Sequence, residues 1–151
     1  MKKLLDRFYP PLINVYTVWI LYMMFFAYNR SAAGHEEYFI RARPFESIYY
    51  LIYESGYVPY EKYKNIFGNI ILFMPYGLLG ILYSKLKSYK YLLPVFIVCI
   101  NVLEFSQYYF GRGYAELDDV ILNTLGMTIG FLIYRKLIHF KDKCPSSQFS
   151  C

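Results

Sequence analysis

Glu104 is the one charged side chain inside four otherwise uncharged apolar runs, in the stretch NVLEFSQYY. A carboxylate in hydrocarbon costs about 2.5–3.5 kcal/mol on insertion scales, so such a residue is expected to face a partner or a wet site. Counting along the chain places Asn69, Gln107, Asp118, Asp119 and Asn123 at a similar depth. Two carboxyls, Glu104 and Asp119, suit general acid–base chemistry. No nucleophile accompanies them, because Ser106 falls off the Glu104 stripe. His35 and His139 lie on opposite sides and neither sits at ligand spacing with another, so no metal is expected, and no cofactor motif is present. An oxygen-only cation site from Glu104, Asp118, Asp119 and Asn123 is conceivable, but nothing in the spacing calls for it. The least demanding chemistry for clustered acids and amides is recognition of a polar or cationic headgroup.

A plainer role exists for each residue. Asn and Gln on spanning helices act as interhelical hydrogen-bond glue, worth about 0.6–2 kcal/mol each, and Asp118 and Asp119 are good helix N-caps. Glue, however, does not require six such residues at one level.

The elements that must position these residues are apolar. The chain has 151 residues, 57% of them hydrophobic, with 19 tyrosines. Uncharged runs cover Pro10–Tyr28, Ile66–Ser84 and Val120–Tyr134, and Tyr91–Phe110 is broken only by Glu104. Crossing roughly 30 Å of hydrocarbon takes about 20 apolar residues. The expected fold is therefore all-α: an integral membrane four-helix bundle forming one domain over 1–151. Its helices are expected at about 10–28, 66–84, 91–110 and 118–138, with an outer loop 29–65 and a polar tail 141–151. Ser31-Ala32-Ala33 resembles a signal-peptide cleavage site, but the preceding apolar segment is longer and bulkier than signal-peptide cores of about 7–15 residues.

Charge sets the expected orientation. Lys2, Lys3, Arg7, Lys85, Lys87, Lys90, Arg135, Lys136, Lys141 and Lys143 fall on one side; Arg30, Arg41, Arg43, Lys62, Lys64 and Arg112 fall on the other. The excess of Lys and Arg places both termini in the cytoplasm. The net charge of +5 is then an inner-face membrane signature, and no nucleic-acid motif is present. In this topology Glu104 lies about two turns below the outer end of the third helix, and Asn69 and Asn123 about one turn below theirs. Arg112 and the Arg41/Arg43-Pro44-Phe45 segment lie where they can close over the group from outside. Phe45, Ile48, Tyr49, Ile52 and Tyr53 make an apolar stripe, which predicts a helix lying in the outer interface.

Within the helices, Pro75 is expected to kink the second, while Gly77 and Gly80 permit close packing. Asn101, Glu104 and Tyr108 are read as one stripe of the third helix, with Gln107 at its edge. Asp119, Asn123, Gly126 and Gly130 share a face of the fourth, where Gly126-x-x-x-Gly130 is a helix-contact motif.

At these residues the chain resembles the VanZ-like family, small bacterial membrane proteins named after a teicoplanin-resistance protein. The matching pieces are Arg43-Pro44-Phe45, then Asn69-Ile70-Ile71-Leu72-Phe73-Met74-Pro75-Tyr76-Gly77. They continue with Glu104-Phe105-Ser106-Gln107, Arg112, Asp119-Val120-Ile121-Leu122-Asn123-Thr124-Leu125-Gly126 and Gly130, in order over roughly 40–133. Where the family often has an Asp three residues before Asp119, this chain has Glu116, which keeps the charge on a longer arm. The resemblance implies a bacterial cytoplasmic-membrane protein that influences sensitivity to teicoplanin-type lipoglycopeptides. The expected ligand-binding set is Arg43, Asn69, Glu104, Gln107, Arg112, Asp118, Asp119 and Asn123. The expected partner is a membrane lipid, a lipid-linked cell-wall component or the lipoglycopeptide itself. The alternatives are a membrane enzyme acting on an envelope lipid or phospho-ester, with Glu104 and Asp119 as acid and base, and a non-catalytic envelope scaffold.

Overall fold

A computed structural model describes residues 2–26, 40–41, 45, 49, 53, 59–112 and 115–143, with side chains for 7–26, 45, 49, 53, 66–112 and 117–136. Four helical segments carry the architecture: α1 (Lys2–Phe25), α2 (Pro59–Phe73), α3 (Tyr89–Tyr109) and α4 (Leu117–Lys143). The spans Arg7–Phe25, Tyr89–Tyr109 and Leu117–Lys136 are long and apolar enough to cross a membrane. The remaining apolar helix, Ile66–Ile81, is shorter.

That shorter helix changes type at Met74, and a 3₁₀ helix runs from Met74 to Ile81 with Pro75 in its first turn. Proline has no N–H to close an α-helical bond, so a tighter winding starts where it sits. The 3₁₀ form rises about 2.0 Å per residue against 1.5 Å for α. Ile66–Ile81 therefore reaches about 28 Å, close to the hydrocarbon thickness, despite its length. The kink expected at Pro75 takes this form. A second 3₁₀ turn, Ser84–Lys87, then leads into α3.

The tightest packing sets α4 against α2 and its 3₁₀ extension. A Cβ on Gly126 would overlap the Ile70 carbonyl, one on Gly130 the Met74 carbonyl, and one on Gly77 the backbone at Met127 and Phe131. Backbone lies on backbone here, the geometry that small residues permit between membrane helices. Around this seam Ile20, Phe73, Leu92, Phe96, Ile100, Met127 and Phe131 form the buried core. Leu12, Val15, Val18, Val98, Val102 and Phe105 are exposed on the outer faces of α1 and α3. An apolar rim of this extent suits lipid as its solvent.

Helix α1 lies beside the kinked helix and is fastened by its tyrosines. The Tyr16 hydroxyl donates to the Leu72 carbonyl at 2.7 Å, and Tyr9 to the Pro75 carbonyl at 2.7 Å. In 3₁₀ winding the Leu72 carbonyl would pair with the N–H that Pro75 lacks, so an outside donor satisfies it. Tyr76 donates back to Thr17 Oγ1 at 3.1 Å. Two-residue strands β1 (Ile40–Arg41) and β2 (Ala115–Glu116) pair in parallel, Ile40 with Ala115 and Arg41 with Glu116. This pairing sets Ile40 and Arg41 beside the residues that lead into α4. Of the expected interfacial helix, only Phe45, Tyr49 and Tyr53 are described. All three are exposed, the Tyr49 N–H donates to the Phe45 carbonyl at 2.8 Å, and the two tyrosine rings lie 5.0 Å apart. The rest of that stripe lies outside the described residues.

Candidate functional site

The polar group is assembled around the first turn of α4. Asp118 and Asp119 occupy that turn, where the positive end of the helix dipole favours acidic side chains. Asp118 is 2% exposed, and its Oδ1 accepts the backbone N–H of Phe45. Asp118 thus lies inside the protein rather than at the open rim. Phe45 has φ +63°, a left-handed conformation that costs a non-glycine residue about 1–2 kcal/mol. The Asp118 bond and the β1–β2 pairing hold it there.

Asp119 points to the neighbouring helix, where the Asn69 amide donates to its Oδ1 at 2.7 Å. This is a direct side-chain bond between α2 and α4. Asn69 and Ile70 are adjacent, and Ile70 touches Gly126, so the glycine seam brings the two polar groups within reach. Asn123, one turn deeper on the same face of α4, is 2% exposed, and among the described residues its Oδ1 finds no hydrogen-bond donor.

Helix α3 contributes Glu104 at 4% and Gln107 at 5% exposure. Gln107 donates through Nε2 to the Met24 carbonyl at 3.1 Å, which ties the last turn of α3 to the last turn of α1. The end of α3 is then closed by a Schellman turn. Arg112 N–H bonds the Gln107 carbonyl at 2.8 Å and Gly111 N–H the Tyr108 carbonyl at 3.1 Å, with Gly111 at φ +63°. Arg112 is half-buried directly beyond this turn. Arg43 lies outside the described residues; its neighbours in sequence, Arg41 and Phe45, are both tied to the start of α4.

Other polar residues are directed elsewhere. Phe96, Ile100, Glu104 and Gln107 make the buried face of α3. Asn101, read from sequence as part of the Glu104 stripe, is exposed and bonds its own helix at the Ile97 carbonyl, 2.7 Å. One residue turns a helix by about 100°, which is enough to separate Ile100 from Asn101. Ser106 donates to the Val102 carbonyl at 2.6 Å, so its hydroxyl is also spent on its own helix. Among the described residues, no group of three His, Cys, Asp or Glu side chains is close enough to hold a metal ion. The tyrosine donors of α1 had no place in the sequence reading. For Tyr16 the signal was a proline-deprived carbonyl inside an apolar run, which takes a donor from another helix.

One end of the bundle carries two carboxylates on α4, one on α3 and amides from three helices; these bind α2 and the loop residue Phe45 to α4, and α3 to α1. Comparison with known proteins bears on this arrangement. The family model described as VanZ/LLP1 matches residues 13–139. Protein VanZ of Enterococcus faecium is 27% identical over 139 residues, spanning 89% of this chain and 76% of that protein. No solved structure matches the chain.

Proposed function

The chain belongs to the VanZ/LLP1 family, and from that premise we propose that it lowers sensitivity to teicoplanin-type lipoglycopeptides by binding or shielding an amphiphile at its buried polar end. In this reading the protein is multi-pass in the bacterial cytoplasmic membrane, with both termini inside and the Asn69–Asp119 end in the outer leaflet. The excess of Lys and Arg at the opposite end supports that orientation. The ligand is the antibiotic's amphiphilic body, a membrane lipid or a lipid-linked cell-wall component. The exposed Phe45, Tyr49 and Tyr53 rings stand beside the polar end and suit an interfacial amphiphile.

The observation that carries the reading is the joining of buried Glu104, Gln107, Asp118 and Asn123 with the Asn69–Asp119 bond at one end of an otherwise apolar bundle. Intramembrane ionisable groups are expensive and are kept for function by default. Binding is favoured over catalysis because Asp119 is engaged by a fixed amide and the Ser106 hydroxyl by its own helix.

The test compares wild type with Glu104→Gln and Asp119→Asn in a teicoplanin-sensitive host, with membrane levels equalised by immunoblot. Protection should be lost while insertion persists. Full protection by both variants would remove the polar end from the mechanism. Turnover of envelope lipids by the purified protein would favour an enzyme instead.

A further inference from the structure

The opposite end of the bundle is built from different material. Tyr9 of α1 bonds the Pro75 carbonyl, the Tyr89 and Phe131 rings lie 5.2 Å apart, and Gly80 abuts Lys87, so the start of α3 lies against α4 and the Ser84–Lys87 turn against the end of the kinked helix. Arg7, Lys85, Lys87, Lys90, Arg135 and Lys136 are all exposed there. Among the residues whose side chains are described, the carboxylates Glu104, Asp118 and Asp119 all belong to the other end, while Asp6 and Asp142 fall in sequence beside the basic one.

These charges do not hang on a loose loop. The Leu86 N–H donates to the Tyr83 carbonyl at 2.9 Å, and the Leu86 side chain packs against the core. Gly80 lets the turn fold back: a Cβ there would lie 2.9 Å from Lys87 Cα. Lys85 and Lys87 are therefore presented by a fixed 3₁₀ turn, with Lys90 following on α3. Exposed Phe8, Tyr83 and Tyr91 flank the group, the placement of aromatic anchors at a headgroup level. Arg7 lies over the Phe8 ring, 6.0 Å from its centroid.

We infer that this rigid basic end, centred on Lys85, Lys87 and Lys90 with Arg135 and Lys136, is a binding site for the anionic headgroups of phosphatidylglycerol-type phospholipids. Charge complementarity selects the occupant. Each Lys or Arg near an anionic surface contributes roughly a fivefold gain in affinity, and a pre-set turn spares the ordering cost. This site stands whether or not the other end binds an amphiphile.

The full-length protein, purified in a mild non-ionic detergent, would be titrated with dioleoyl phosphatidylglycerol or dioleoyl phosphatidylcholine. Thermal stability and retained lipid phosphorus would both be read. Wild type should prefer the anionic lipid by about tenfold or more at low salt, and the preference should shrink in 0.5 M salt. K85Q/K87Q/K90Q should lose most of that preference and R135Q/K136Q a smaller share, three charges against two. Gly80→Ala keeps every charge yet displaces Lys87, and should weaken the preference without altering net charge. Equal retention of the two lipids by wild type would overturn the site. So would an undiminished preference in both charge-neutralised variants, whose fold is checked by their phosphatidylcholine-supported melting.

Discussion

The glycine seam makes a prediction in which the sign of one substitution reverses between two positions. Gly68 on α2 has nothing within 4 Å of its would-be Cβ, whereas a Cβ on Gly126 would overlap the Ile70 carbonyl. Gly68→Ala should therefore stabilise by up to about 1 kcal/mol, the difference in helix propensity. Gly126→Ala gains the same term but must push α2 away from α4 by about 1.3–1.9 Å to take its Cβ from 2.1 Å to ordinary contact with the Ile70 carbonyl. Such overpacking costs about 1–3 kcal/mol. The Asn69–Asp119 bond lies beside the contact at 2.7 Å, and the same displacement takes it past hydrogen-bonding range. Its loss adds about 0.6–1.7 kcal/mol, the range measured between membrane helices. The net effect of Gly126→Ala is a destabilisation of about 2 kcal/mol.

Equilibrium unfolding in mixed micelles with increasing dodecyl sulfate would read both variants. A double-mutant cycle sharpens the assay: Asn69→Leu should cost clearly less in the Gly126→Ala background, where its bond is already broken. If Gly126→Ala is as benign as Gly68→Ala, backbone contact between α2 and α4 is refuted. Full additivity with Asn69→Leu would separate the seam from the polar pair.

Three further outcomes follow from single contacts. Tyr16→Phe removes the donor to the Leu72 carbonyl and should cost about 0.5–1.5 kcal/mol in the same unfolding assay, whereas Tyr22→Phe on the exposed face should cost little. Gly111→Ala places a side chain at φ +63° in the Schellman turn and should destabilise by about 1–2 kcal/mol, with the end of α3 gaining amide exchange first. Phe45→Gly relieves the left-handed strain but removes an exposed ring. It should raise the unfolding midpoint while weakening any interfacial binding, a split visible by comparing unfolding with vesicle partitioning.

Much of the framework was legible in the residue order. The uncharged runs around Val18, Val98 and Leu125 marked α1, α3 and α4 because a membrane span must be long and apolar, and both properties are local. The i, i+4, i+7, i+11 spacing of Asp119, Asn123, Gly126 and Gly130 placed the polar and small residues of α4 on one face, since helical period depends on nothing beyond the helix. Pro75 likewise announced a break in the second apolar run by lacking an N–H.

Only tertiary packing decided which faces meet. Periodicity could not rank the neighbours Ile100 and Asn101 as buried or exposed; contact with the core did, and it left Asn101 facing outward. Asp118 read as a cap at the rim, yet a loop amide 73 residues away in sequence encloses it. The kinked helix is fastened by Tyr9 and Tyr16; the Leu72 carbonyl, deprived by Pro75, takes its donor from Tyr16 on the helix that lies alongside. Residue types and local period are properties of a segment, whereas burial, partner and register arise between segments. The sequence thus determined that a carboxylate stands in the apolar run at position 104, and the fold alone determined that it is buried at the end of the bundle where Asn69 binds Asp119.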